Sequence, residues 1–212
     1  MSGATRLCLV RHGETAWNAE HRVQGQLDVP LNEFGRAQAQ AVAQALAGER
    51  FDAIYSSDLS RARETAEPVS KLLAMRVILD PGLRERHYGI FESLTYAEVK
   101  RRYPEDYARF EARDPDFDFR TGESLRAFFD RVTRCIAALA ERHAGGSILV
   151  FTHGGNLDKL YRHVTGLPLS APRDFSIPNC GINRIEASAG AWRIAAWADV
   201  SHLERALDDL PE

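Results

Sequence analysis

Two histidines each stand just before a glycine and just beyond an apolar run. Leu7-Cys8-Leu9-Val10 leads into Arg11-His12-Gly13, and Ile148-Leu149-Val150-Phe151 leads into Thr152-His153-Gly154-Gly155. A third run, Ala53-Ile54-Tyr55-Ser56, is followed by Ser57, Asp58 and Arg61. Short apolar runs of this kind read as buried strands, and ligands of open parallel sheets gather beyond the strands' carboxyl ends. If these strands run parallel, two imidazoles and two guanidiniums meet at one edge. Such a cluster is costly unless an anion joins it. The guanidinium fork matches phosphate oxygens. Neighbouring cations favour a neutral imidazole, and its free ring nitrogen is a nucleophile. The glycines let the backbone approach a ligand closely, and a helix starting after Gly154-Gly155 can aim N–H groups at an anion. The chemistry this predicts is phosphoryl transfer to a histidine. At this level His12 and His153 are equal candidates for the attacker.

The elements that must position these groups follow from periodicity and capping. Residues 5 to 10 and 51 to 56 read as strands, as do 77 to 79 and 147 to 151. Asn32 caps a helix with the body RAQAQAVAQALAGE, whose stripe is assigned to Ala37, Ala41, Val42, Ala45 and Leu46. A second helix covers about 60 to 73. PGLRERHYGIFESL is an irregular loop. Thr95 and Glu98 form a capping box that opens a charged helix, and RDPDFDFRTGES is another loop. From Ser124 to about His143, Leu125, Phe128, Phe129, Val132, Ile136 and Leu139 recur at helical spacing, and Gly145-Gly146 ends the helix. A helix with Leu157, Leu160, Tyr161 and Val164 on one face ends at Gly166. Residues 183 to 187 and 192 to 198 form a hairpin about Ala189-Gly190. LERALDDLPE reads as an acidic, frayed helix. Strands alternating with helices predict an α/β sandwich with a mainly parallel sheet.

The chain has 212 residues, 44% of them hydrophobic, and a net charge of −3. That suits a single domain over 1–212. There is no basic field to attract nucleic acid, so any grip on an anion must be local. Cys8, Cys135 and Cys180 have no CxxC spacing, which argues against a disulfide framework and a thiolate zinc site. No apolar stretch reaches membrane-spanning length. A cytoplasmic protein is expected.

The sequence resembles the histidine phosphatase superfamily. LVRHGETAWN is similar to its signature, GQLDVPLNEFGRAQA to its next block, and YSSDLSRARETA to the block with its second phosphate arginine. LRERHYG resembles the block with its acid/base glutamate, LVFTHGG the second-histidine block, and IPNCGINRIE a frequent late block. The resemblance spans nearly the whole chain. It implies a three-layer α/β/α sandwich, phosphoglycerate-mutase-like, with a small loop and helical insertion at about 85–122. It implies that His12 accepts the phosphoryl group, that Arg11, Arg61 and His153 complete the phosphate pocket, and that Asn18 and Gly154 contribute to it. Glu85 would give a proton to the leaving oxygen and then activate water. No metal or other cofactor is implied.

Within that resemblance, the short segment between Glu85 and Gly122, the acidic tail and Thr121-Gly122-Glu123-Ser124 favour a phosphomonoesterase that releases inorganic phosphate from a small phosphorylated metabolite. Glu85-Arg86-His87-Tyr88-Gly89 is similar to the mutase version of its block, with Arg86 and Tyr88 available to a substrate anion. A phosphoglycerate mutase is therefore the second reading, and a non-catalytic phospho-ligand binder the third. Ser93 stands where the phosphatase branch often carries glycine. Glu14 reads as a hydrogen-bond partner, Arg63 as surface, and His21, His87, His143, His163 and His202 as structural. Phe91, Phe117 and Phe119 fit an aromatic cover or core equally. Exposed hairpin edges leave a homodimer open.

Overall fold

The computed structural model describes residues 3–208. Six strands form one sheet, ordered β3-β2-β4-β1-β5-β6. They are β1 (Thr5–Arg11), β2 (Ala53–Ser56), β3 (Val77–Leu79), β4 (Ser147–Thr152), β5 (Ile182–Ser188) and β6 (Ala191–Asp199). The first four in chain order pair in parallel, and the β5–β6 hairpin adds antiparallel to β1.

Strict alternation along the strands builds two cores. Leu7, Leu9, Tyr55, Ile148 and Val150 point to one face, covered by α6 (Leu125–Arg142) and α7 (Gly154–Thr165). Cys8, Val10, Ile54, Leu149 and Phe151 point to the other, covered by α2 (Glu33–Leu46) and α3 (Ser60–Leu73). The sheet is thus the middle of three layers. Arg11 is in register with Thr152, and Ser56 with Phe151. His12, Ser57 and His153 are therefore the first residues past three neighbouring strand ends.

Several sequence expectations need correction. Ala37 and Ala45 face outward and Ala41 is half-buried, while Ala39, Val42, Ala43 and Leu46 pack inward with Gln38. In an Ala/Gln-rich helix, small side chains do not set the phase of the stripe. Gln38 is inside because its Oε1 accepts from the Glu14 amide. A short helix, α1 (Ala16–Ala19), was not anticipated. The charged helix is two, α4 (Tyr96–Arg102) and α5 (Pro104–Glu111), broken where Pro104 disfavours helical backbone at Tyr103. Residues 203–208 form no helix. They run as a strap whose Leu207 carbonyl accepts from the Asn179 amide, while Asp208 pairs with Arg173. The rest of the expected tail helix lies outside the described residues. Phe91, Phe117 and Phe119 are core, forming a third cluster with Val23 and Val99 under α4 and α5. Ser93 takes φ 71°, the left-handed region where glycine is least strained, which gives the family's usual glycine a physical reason.

Candidate active site

The β1 end delivers His12 with its tautomer set. Nδ1 lies 2.7 Å from the Gly13 carbonyl oxygen. A carbonyl only accepts, so Nδ1 carries the proton and Nε2 the lone pair. Gly13 is required here by close packing: a Cβ would meet the Gly35 carbonyl of α2 at 2.6 Å. The His12 carbonyl is held by Asn179 and its amide by the Thr152 carbonyl. The rings of His12 and His153 are 5.2 Å apart, tilted by 60°. His153 Nε2 bonds Ser57 Oγ at 2.8 Å, while its Nδ1 is buried with no partner among the described residues. Burial holds both imidazoles well below the usual histidine pKa, reinforced by Arg61 and Arg11. Both rings are neutral at physiological pH.

Arg11 and Arg61 are each only 1% exposed. Arg11 donates to the Ile177 carbonyl at 2.6 Å, with Asp208 at 4.0 Å. Arg61 donates to the carbonyls of Leu27 and Gly25, and its Nε has no partner among the described residues. Burial pushes the Arg61 pKa down to about 10, and the guanidinium stays charged. Carbonyl dipoles position Arg61 without neutralising it, and with Arg11 on the same cavity the pocket is prepared for an anion. Arg11, His12, Asn18, Arg61 and Glu85 line one cavity of about 40 Å³. Asn18 is fixed by the capping box of α1, its Oδ1 accepting from Thr15. His153 is fully enclosed and Gly154 buried, and neither lines this cavity. His153 lies against His12, and Gly154 is the first residue of α7.

Glu85 sits on an irregular loop that is nonetheless pinned. Its Oε1 accepts from the Arg86 amide at 2.7 Å and its Oε2 from the Gly155 amide at 2.9 Å. The α7 N-terminus thus holds a protein carboxylate. A Cβ on Gly155 would lie 2.2 Å from Glu85 Oε1, so any larger residue there would displace the carboxylate. Arg131 of α6 donates to the carbonyls of Gly82, Arg84 and Glu85, and pairs with Glu123. Glu123 also accepts from the His87 amide, Gly122 abuts the His87 carbonyl, and Ser124 caps α6. The Gly-Glu-Ser trio therefore braces the glutamate loop.

The sequence reading placed Ser57 just past the third strand but gave it no role, and Arg131 escaped it. Arg131 gives no signal, because an arginine between buried helical positions looks like solvated charge. Glu14 is a hydrogen-bond partner, its Oε1 accepting from Asn32, and Arg63 is exposed. Among the described residues no group of His, Cys, Asp and Glu could hold a metal ion, no helix is long and apolar enough to cross a membrane, and the three cysteines are free.

A three-layer sandwich whose parallel strand ends present neutral imidazoles between buried arginines defines a phosphoryl-transfer class. Residues 7–200 match the model of the histidine phosphatase superfamily (branch 1), and the chain belongs to that superfamily. It is 43% identical over 202 residues to phosphoglycerate mutase-like protein 4 of Arabidopsis thaliana, covering 93% of this chain and 86% of the relative. It is 39% identical over 205 residues to the metal-independent phosphoserine phosphatase of the same plant, covering 95% and 84%. A phosphoserine phosphatase mutant of Entamoeba histolytica, solved with phosphoserine, superposes with a TM-score of 0.85 at 28% identity, covering 94% and 99%. The chain has the superfamily's phosphomonoesterase or mutase activity on small phosphorylated metabolites, exerted through a histidine.

Proposed function

We propose that this protein is a phosphomonoesterase that works through a phosphohistidine on His12, without a metal. The observation that carries the reading is the His12 ring: Nδ1 is tied to the Gly13 carbonyl, leaving Nε2 unprotonated in a cavity shared with Arg11, Arg61 and Glu85. The Nε2 lone pair forms the N–P bond as the P–O bond to the alcohol breaks. Glu85, as general acid, gives a proton to the departing oxygen. Arg11 and Arg61 hold the phosphoryl oxygens, assisted by Asn18, while His153 and the α7 start at Gly154 complete the charge frame from behind. Water then attacks phosphorus. Glu85 takes its proton, the N–P bond returns its electrons to Nε2, and inorganic phosphate leaves.

Hydrolysis is favoured by the likeness of Thr121-Gly122-Glu123-Ser124 to the phosphatase branch, and by the phosphatases among the relatives. A phosphoglycerate mutase is the second reading, favoured by the several relatives, plant and bacterial, that carry a mutase name, and by Glu85-Arg86-His87-Tyr88-Gly89. Free thiols fit a cytoplasmic setting, and the β6 edge is where a homodimer would form. The test is a panel of phosphate esters with 2- and 3-phosphoglycerate, read for free phosphate and for isomer exchange, with alkaline trapping of labelled phosphoenzyme. Phosphate release with label on His12 is expected. Exchange without release would make it a mutase, and no label on His12 would overturn the mechanism.

A further inference from the structure

Beside the phosphate cavity lies a larger one of about 300 Å³, and Tyr88 and Tyr96 line both. Gly155, whose amide holds Glu85, lines the larger one. An alcohol whose oxygen is protonated by Glu85 has this chamber next to it. Its volume is at the lower end of the range for small-molecule sites, roughly 300–1,000 Å³.

The walls of the chamber are of two kinds. Tyr96 and Phe110 stack face to face at 5.7 Å and 10°, next to Tyr107. The charged lining has four cations, Arg86, Arg113, Lys159 and Arg173, against three carboxylates, Glu111, Asp114 and Asp158. Most are already committed. Asp114 pairs with Arg109, Arg173 with Asp208, and Asp158 with both Lys159 and Arg162. Glu111 is exposed and bonds to Tyr107. Among the described residues Arg86 donates only to the carbonyls of Glu123 and Phe117, and Arg113 pairs with no carboxylate. Arg113 is half-buried, at φ 52°, in a field of Arg162 and Arg173 that Asp158 partly offsets. Lys159 is buried over the Phe128 ring at 5.8 Å, sharing its one carboxylate with Arg162. Two lining guanidiniums that meet no carboxylate among the described residues, with a lysine that shares its own, favour a negative charge in this space, and the three lining carboxylates oppose a second one.

We propose that this cavity is the leaving-group chamber, in which Arg113 and Lys159, with Arg86, select phosphate monoesters whose alcohol carries a carboxylate on a ring or other apolar body. The proposal rests on the phosphomonoesterase reading, and it assigns specificity to three residues whose side chains carry none of the chemistry.

Matched esters test it: 3- and 4-carboxyphenyl phosphate against their carbamoyl counterparts, which keep the shape and lose the charge, and 1,4-phenylene bisphosphate as the dianion. The wild type is expected to favour a carboxylate ester at least tenfold in kcat/KM, mainly through KM. Arg113→Gln and Lys159→Met should each shrink that preference, and the double variant should bring it within twofold of unity. Lack of preference in the wild type, a preference that survives the double variant, or the bisphosphate as best substrate would overturn it. If thermal melting shows the double variant unfolded, Arg113→Gln alone decides, since its half-exposed side chain supports no core. If no ester is hydrolysed, the phosphomonoesterase reading falls. Calorimetric affinities of the same pairs then judge the subsite separately, and equal affinities would end it.

Discussion

The phosphate pocket and the chamber beside it are neighbours built by opposite means. The pocket sits on parallel strand ends, where each reacting side chain is tied to backbone: His12 to the Gly13 carbonyl, Arg61 to Gly25 and Leu27, Glu85 to the amides of Arg86 and Gly155. Half of the chamber wall is α4, α5 and the loop after them, which rest on an apolar cluster away from the sheet, and the other half includes the glutamate loop and α7. Backbone partners survive sequence change, whereas side-chain walls are rewritten by it. The molecule thus separates what is done to phosphorus from the choice of the alcohol.

The strongest test of that separation is His12→Ala. If the pocket alone performs the chemistry, turnover of every ester should fall by at least about 10⁴-fold, whatever occupies the chamber. Phosphate-release assays on an aryl and an alkyl ester measure this. A residual rate near wild type on either would show that His12 is not the attacker.

Glu85→Gln should split the two regions more finely. General-acid help is worth roughly 10²–10⁴-fold, and it matters most when the leaving alcohol is a poor one. The loss should approach about 10³-fold for an alkyl phosphate and be much smaller for 4-nitrophenyl phosphate, whose leaving group needs no proton. Equal losses on both would remove Glu85 from the role of acid.

Much of the pocket was legible because the two His-Gly pairs and Arg61 follow apolar runs whose period and order predict a parallel sheet. Register then does the rest, as the pairing of Arg11 with Thr152 shows. The chamber was not legible. Arg113 belongs to a loop without periodicity, and Lys159 sits on α7 beside residues read as an ordinary apolar face. Which way a loop arginine turns depends on tertiary packing, here on where α4 and α5 settle over Phe91, Phe117 and Phe119. The break at Pro104 was legible in principle. The outward phase of Ala37 and Ala45 was not, since alanine alone carries too little area to orient a helix.

Gly155→Ala probes the seam between the regions. The added Cβ would fall 2.2 Å from Glu85 Oε1, so the carboxylate must shift while the helix gains propensity. A drop of about tenfold in kcat for alkyl esters is expected, with little change in KM and no loss of melting temperature. A shift in KM alone would mean that the seam belongs to the chamber instead.

The smallest effect concerns pH. An imidazole at its ordinary pKa of about 6.5 would lose roughly three-quarters of its neutral form at pH 6. His12 is held well below that value by burial and by Arg61 and Arg11. Measured on Glu85→Gln with 4-nitrophenyl phosphate and corrected for ionisation of the ester, kcat/KM should therefore change by less than about twofold between pH 7.5 and 6. Stability carries the complementary signature. Because His12 and His153 are depressed in the folded state, the unfolded chain binds more protons once the pH drops below about 6.5. Their contribution is complete above that pH and is lost as the pH falls from there towards the folded values. The melting temperature should decline over that window, and less steeply in His153→Asn. An acid limb in kcat/KM centred near 6.5 would instead show that the arginines fail to keep the attacking ring neutral, and the pocket would then need its substrate bound before it could react.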